Sequence, residues 1–296
     1  MGAKLRVVRR RIRSVQSTMK ITRAMELIAA SRIVKAQQRV ESARPYAELL
    51  TRAMEDVARQ TGALVHPLLE ERGTPERAGV LVMTSDRGLA GSYNANILRL
   101  AETVTAEIRD RGLEPVMYAS GKKGISYFRF RGTPLEAQWS GFSEVPPFSA
   151  ADAIGRRVIA DFAERRIDEL HTVYTDFRSA FTLRAARKRF LPVAPNELRD
   201  FKGRPHPEYI FEPAPAAILD ELLPQYVITK VYAALLESAA SENAARRRAM
   251  KAATDNAEDL IKVLTRQANR ARQDEITTEI MEIVGGAEAL SQTAGE

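Results

Sequence analysis

The most constraining feature of this sequence is a repeating pattern of apolar residues over residues 1–60. Steps of alternately three and four residues select side chains that are all apolar except Thr22 and Glu26. A repeat of about 3.5 residues is typical of a helix that buries one seam against another helix. No glycine or proline lies between Gly2 and Pro45, so the pattern predicts a helix of about 80 Å, kinked or bent near Pro45. The seam positions are Leu5, Val8, Ile12, Val15, Met19, Thr22, Glu26, Ala29, Ile33, Ala36, Val40, Ala43, Ala47, Leu50, Met54 and Val57.

The same register returns near the end of the chain and supplies a partner for the first helix. No glycine or proline lies between Pro224 and Gly285. A long helix at each end of a chain, with other structure between them, can close as an antiparallel coiled coil. The second seam comprises Leu219, Leu222, Tyr226, Thr229, Ala233, Leu236, Ala240, Asn243, Arg247, Met250, Thr254, Ala257, Ile261, Leu264, Ala268 and Ala271.

The middle of the chain has a different pattern, in which short apolar runs alternate with amphipathic segments. This alternation is typical of an open α/β (Rossmann-like) sheet. We therefore predict a coiled-coil shaft formed by residues 1–77 and 208–296, carrying an α/β domain at residues 78–207. The predicted strands are 79–84, 115–120 and 169–175, with an edge strand at 189–193, and the predicted helices are 94–111, 122–130 and 148–165.

The charge of the chain is concentrated in the first helix. Residues 1–60 contain fourteen Lys or Arg and five Asp or Glu, while the whole chain has a formal net charge of +7. Such a basic stretch can be a solvated face, a nucleic-acid surface or a surface for an acidic protein. No aromatic residue precedes Tyr46, which removes a stacking platform for single strands. An acidic protein partner therefore ranks above nucleic acid.

The sequence predicts no catalytic, cofactor-binding or metal-binding residues. The turn at residues 85–92 follows the first strand, where an α/β sheet can hold a phosphate, but its glycines match neither phosphate-binding motif, so a structural turn is favoured. The histidines, His66, His171 and His206, are scattered along the chain and do not suggest a metal site or a catalytic triad. There is no cysteine, which excludes disulfides and thiol chemistry. No run of eighteen apolar residues is present to span a membrane.

Five segments of the chain are distinctive: SVQSTMKITRAME at residues 14–26, SDRGLAGSYN at 85–94, MKAATDNA at 250–257, NRARQ at 269–273 and EIVGG at 282–286. Together they resemble the gamma subunit family of F-type ATP synthases. The segments occur in the family's order and span almost the whole chain.

The resemblance implies a non-catalytic rotor subunit of the central stalk. Such a subunit transmits rotation between the membrane c-ring and the catalytic alpha/beta head, and so couples proton flow to ATP synthesis. The implied partners are the alpha, beta and epsilon subunits and the c-ring, without nucleic acid or cofactor. The implied location is peripheral, on the cytoplasmic face of the bacterial cell membrane.

The resemblance also implies particular contact residues. Those matched to beta-subunit contacts are Met25, Arg246, Arg272 and Gln273, and those matched to the c-ring are Tyr209 and Glu212. Two alternatives from other classes are a coiled-coil adaptor with a degenerate nucleotide-binding domain and a nucleic-acid-binding coiled coil.

Overall fold

Two long helices confirm the main prediction from the sequence. The computed structural model describes residues 3–61, 66–177, 183–194 and 215–293. Helix α1 spans Ala3–Thr61 and helix α5, the last in the chain, spans Pro215–Thr293. Pro45 lies inside α1 without ending it. Among the described residues, no helix is both long enough and apolar enough to cross a membrane.

The chain divides into two compact units, and both long helices contribute to each. One unit comprises Met1–Ile28 and Arg248–Glu296, and the other comprises Ala29–Arg247. The second unit contains the sheet together with large parts of α1 and α5. The predicted division into a shaft and a domain at residues 78–207 stays a prediction.

The two helices are antiparallel. In the first unit, the hydroxyl oxygens of Thr22 and Thr254 lie 2.8 Å apart and share a hydrogen bond. In the second unit, Met54 of α1 lies in the same apolar core as Leu219 and Leu223 of α5. Residues later in α1 therefore lie beside residues earlier in α5, as an antiparallel coiled coil requires.

The predicted seam is confirmed along α1 but only partly along α5. Every predicted seam position of α1 is buried or half-buried, and so is every one from Met250 to Ala271 in α5. The prediction is wrong at Ala233 and Arg247, which are exposed. The reason is that α5 packs against the sheet domain as well as α1 in this region, so burial no longer follows a single seam.

The sheet has five strands in the order β3-β2-β1-β4-β5, and only β5 is antiparallel to its neighbour. The sequence missed β3, which has three half-buried or exposed residues and therefore no readable period. It also began β5 too late, because the basic residues of that strand conceal its pattern. The strands are β1 (Arg77–Met83), β2 (Glu114–Ser120), β3 (Ala137–Trp139), β4 (Glu169–Phe177) and β5 (Leu183–Leu191).

Helices cover both faces of the sheet, as the strand–helix alternation predicts. Helices α2 (Tyr93–Asp110) and α3 (Lys122–Phe130) pack on one face. Helix α4 (Phe148–Ala163) packs on the other, in a core that also includes residues of α1 and α5. The sheet domain is therefore joined to both long helices by one continuous apolar core.

Gly155 allows a close approach between α4 and α5. A Cβ atom at this position would lie 2.6 Å from Cγ1 and 3.2 Å from Cα of Ile228. We expect Gly155→Ala to lower the free energy of unfolding by about 1–2 kcal/mol, because overpacking costs more than the gain in helix propensity. Chemical denaturation followed by the fluorescence of Trp139, the only tryptophan, measures the change. Gly285→Ala, with nothing within 4 Å, is the control, and equal stability of the two variants would contradict the prediction.

A buried carboxylate at the start of β4 makes stability depend on pH. Burial raises the pKa of Glu169, but hydrogen bonds from His171 and Arg111 outweigh burial and lower that pKa to about 2. The Arg111 guanidinium donates to both carboxylate oxygens, at 2.7 and 3.2 Å. Because the pKa is depressed in the folded state, this stabilisation is present above the unfolded pKa and is lost as pH falls toward 2.

We expect Glu169→Gln to lower the free energy of unfolding near pH 7 by about 1.5–3 kcal/mol, the range for hydrogen bonds to charged groups. The difference from the unsubstituted chain should shrink as pH falls from about 4.5, the ordinary pKa of glutamate. Denaturation curves at several pH values test both statements. Glu114→Gln, at an exposed position of β2, is the matched control. A loss that is independent of pH would contradict this role for Glu169.

Candidate functional site

The turn after β1 is held by its own side chains. The Ser85 hydroxyl donates to the carbonyl oxygen of Arg87 at 2.6 Å, and the Ser85 backbone N–H donates to Oδ1 of Asn94 at 3.0 Å. The Asn94 amide in turn donates to the Ser85 hydroxyl oxygen at 2.8 Å. These bonds build a structural turn, in line with the interpretation of its sequence.

Asp86 ties this turn to two other segments. Its carboxylate accepts backbone N–H bonds from Lys122 at 3.1 Å, Gly141 at 2.8 Å and Ser143 at 2.9 Å. Burial raises the pKa of Asp86, but these hydrogen bonds outweigh it and hold that pKa below its usual value. The carboxylate thus occupies the N-terminus of α3, where an anion is favoured, and fixes the loop that follows β3.

The tip of the turn points outward under backbone strain. Arg87 and Leu89 are both largely exposed. Leu89 has a φ of 61°, which is unfavourable for a residue with a branched side chain. Glycine is the usual residue at such an angle, so the leucine is held in this conformation by the surrounding turn.

A network of charged side chains lies behind the turn. Arg246 of α5 contacts Glu242 at 2.6 Å and Glu144 at 3.1 Å. Glu144 also pairs with Arg32 of α1 and lies 3.7 Å from Arg87. The side chains of Arg246 and Glu242 are only 6% and 1% exposed. Burial raises the pKa of Glu242, and the neighbouring Arg246 partly opposes that rise.

The predicted contact residues occupy different environments. Arg272 and Gln273 are exposed on α5, and Met25 is half-buried on α1. Arg246 is buried in the network described above, while Arg247 beside it is exposed. Tyr209 and Glu212 lie outside the described residues. The structure thus leaves Arg272 and Gln273 accessible and does not bring Arg246 to the surface.

The histidines within the described residues have partners in the protein. His66 accepts the Leu68 N–H through Nδ1 and lies 3.3 Å from Asp220. His171 contacts Glu169 at 3.1 Å. In the part of the chain that the structure describes, no group of three or more metal-binding side chains is found. His206 lies outside that part.

Sequence reasoning missed Glu144 and Glu242. Glu242 and Arg246 are four residues apart on a helix, a spacing that brings opposite charges together, so this half of the network carried a readable signal. Glu144 lies in a loop, and its arginine partners are far away in sequence. Nothing in the local pattern identifies it.

Known proteins match this chain along almost its whole length. The family model described as ATP synthase matches residues 4–290. The ATP synthase gamma chain of Acidothermus cellulolyticus is 56% identical over 301 residues, covering 100% of both chains. That of Mycolicibacterium smegmatis is 50% identical, covering 98% of this chain and 99% of the relative.

Solved structures agree with the sequence relatives. The chain resembles a chain in the central stalk/c-ring structure of Tetrahymena thermophila mitochondrial ATP synthase, with a TM-score of 0.59 and 26% identity, covering 79% of this chain and 99% of that one. A chain of the Euglena gracilis enzyme shares the fold, with a TM-score of 0.67 at 17% identity over 98% of this chain and 95% of that one. With paired terminal helices around a central sheet, and with relatives matched from end to end, the chain belongs to the ATP synthase gamma-chain family, the rotor subunits of the central stalk.

Proposed function

We propose that this rotor subunit is itself non-catalytic and transmits rotation between a membrane c-ring and a catalytic head of alpha and beta subunits. In this role it couples proton flow to ATP synthesis. The full-length match to gamma chains supports the proposal, and so do two helices that each run through both compact units. A shaft needs continuous elements of this kind, because a helix resists bending better than a loop.

The observation that carries the proposal is the exposed apolar end of α5. In the unit formed by Met1–Ile28 and Arg248–Glu296, large apolar side chains beyond the predicted seam are 47–71% exposed. Apolar surface of this kind marks a surface for another protein, and a sleeve of alpha and beta subunits would cover it. These side chains are Ile276, Ile280, Met281, Ile283 and Val284.

The basic start of α1 supports an acidic partner in the same head. Arg6, Arg10 and Arg13 are exposed, and cations at a helix N-terminus are unfavourable without an opposing charge. An acidic loop of a beta subunit would supply that charge. Met25, further along α1, is proposed to face the same loop.

The chemistry of the turn at residues 85–92 supports a non-catalytic role. The Ser85 hydroxyl bonds to Arg87 and Asn94. Within the described residues, none of its hydrogen bonds involves a histidine that could act as its base in nucleophilic catalysis. ATP chemistry is assigned to the alpha and beta subunits.

The remaining contacts follow from the family. We assign the sheet domain to the epsilon subunit and the c-ring, with Tyr209 and Glu212 as c-ring contacts. The protein would then be peripheral, on the cytoplasmic face of the bacterial membrane, held there through the complex. Arg246 is retained as a beta-subunit contact only if it leaves its present ion pairs, which makes Arg272 and Gln273 the stronger assignments.

Affinity purification of the tagged native protein tests the proposed function. Mass spectrometry should identify alpha, beta and epsilon subunits in the eluate, which should hydrolyse ATP, while the isolated chain should not. Recovery of the chain alone, or with unrelated proteins, would instead favour the coiled-coil adaptor. ATP hydrolysis by the isolated chain would refute the non-catalytic assignment.

The pair Arg272 and Gln273 provides a sharper test by mutation. Arginine offers a planar fork of donors suited to gripping a loop. We expect the double substitution R272A/Q273A to lower ATP synthesis by about tenfold, which corresponds to losing one or two hydrogen bonds that involve a charged group. ATP synthesis by membrane vesicles, normalised to assembled complex, measures the effect.

The matched control is R266A/Q267A, which removes the same two residue types from exposed positions of the same helix. The control should retain normal synthesis. If both double variants make ATP at the same rate, Arg272 and Gln273 are not the residues that hold the beta subunit.

A further inference from the structure

The carboxylate of Glu144 lies where three separate parts of the chain meet. It pairs with Arg32 of α1, with Arg246 of α5 at 3.1 Å and with Arg87 of the turn after β1 at 3.7 Å. All four residues belong to the unit Ala29–Arg247. A single side chain of the sheet domain therefore contacts both long helices.

The position of Glu144 is fixed by the sheet domain. Asp86 accepts the backbone N–H groups of Gly141 and Ser143, and the Ser143 hydroxyl oxygen accepts the N–H of Asp86 at 2.8 Å. Asp86 thus makes three hydrogen bonds to residues within three positions of Glu144 and a fourth to Lys122 at the start of α3. The loop that presents Glu144 cannot shift without breaking them.

The network is also short of negative charge near α5. Glu144 is 14% exposed, and Arg246 is 6% exposed. Three arginines, Arg32, Arg87 and Arg246, face two carboxylates, Glu144 and Glu242. Neutralising Glu144 would remove the carboxylate that Arg32 of α1 and Arg246 of α5 share, and Arg246 would keep Glu242 of its own helix as a partner. The hold of the sheet domain on both helices would therefore weaken at once.

We propose that Glu144 is a positioning residue that transmits torque between the sheet domain and the two long helices. Through its ion pairs, the sheet domain, α1 and α5 turn as one body. This inference rests on the proposed rotor function. The apolar core also joins the domain to the helices, but apolar burial is non-directional, and side chains can repack under load. Arg32 donates a charge-assisted hydrogen bond to Glu144, and such a bond fixes direction as well as distance. Together with the ion pair to Arg246, it resists rotation of the domain around the helices.

The distinguishing feature of this role is its dependence on load. At low opposing torque, the apolar core alone is enough to hold the domain in place. At high opposing torque, a domain that lacks the Glu144 pairs should turn in part without its helices. Protons would then pass without ATP being made. A purely structural role would change the amount of assembled complex without changing the protons used for each ATP.

Membrane vesicles that contain the full complex test the proposal with Glu144→Gln. The measurement is the number of protons returned for each ATP made, at low and at high ratios of ATP to ADP. We expect no change at the low ratio and a rise of at least about twofold at the high ratio, the smallest effect expected from losing contacts within one network. Glu144→Asp, which keeps the charge, should recover part of the coupling.

Further variants keep the test decisive. Arg32→Gln removes one half-exposed partner and should show the same load dependence more weakly, even if Glu144→Gln fails to assemble. The double variant Glu144→Gln/Arg32→Gln should use no more protons for each ATP than Glu144→Gln alone, because both substitutions act on one network. Asp152→Asn, which breaks a pair with Arg156 within α4, is the matched control and should couple normally.

The outcomes separate this inference from the proposed function. If the unsubstituted chain does not couple proton return to ATP synthesis, the proposed function fails. If it does couple, and the Glu144 and Arg32 variants use the same number of protons as it does at high load, only the role of Glu144 is overturned. An equal defect in Asp152→Asn would overturn that role as well.

Discussion

The structure depends on the burial of one apolar seam between α1 and α5. Isolated helices gain little stability from their own hydrogen bonds, and most helical stability in proteins comes from packing an apolar face. The seam is rich in alanine, with Ala29, Ala36, Ala257 and Ala268 all buried. Small side chains let two backbones approach closely but bury little area each, so stability accumulates over many turns. Near the sheet, α1 and α5 also pack against the sheet domain, which adds to the apolar area that the seam buries.

The N-terminus of α3, where an anion is favoured, is occupied by groups of the protein itself. Asp86 occupies the N-terminus of α3, and Thr84 fills the space beside Gly121 and Gly124. The Gly124 N–H donates to the Thr84 hydroxyl oxygen at 2.8 Å. The N–H donors at the start of α3 are thus bonded to the end of β1 and the turn after it. Asp86 of that turn in addition accepts the N–H groups of the loop that carries Glu144.

The sequence predicted most of the fold because its main elements each face one environment. Every predicted seam position of α1 is buried or half-buried, and helix α3 was predicted at its observed bounds. Prediction failed where a residue faces two surfaces or where the element is very short. Ala233 and Arg247 lie on a helix that packs in more than one direction, and β3 has only three residues. The contacts of Glu144 could not be predicted, because its arginine partners are brought to it by tertiary structure alone.

The hydrogen bond between Thr22 and Thr254 has a consequence for the lengths of the two helices. Both residues are buried, and their hydroxyl oxygens lie 2.8 Å apart. Displacing one helix by a heptad would keep the apolar pattern but would break the hydrogen bond between these hydroxyls. The cost would be about 0.5–1.5 kcal/mol, since each hydroxyl still bonds to a carbonyl oxygen of its own helix. An insertion or deletion of seven residues in one helix is therefore not neutral, and it would have to be matched in the other helix to keep the two threonines in phase.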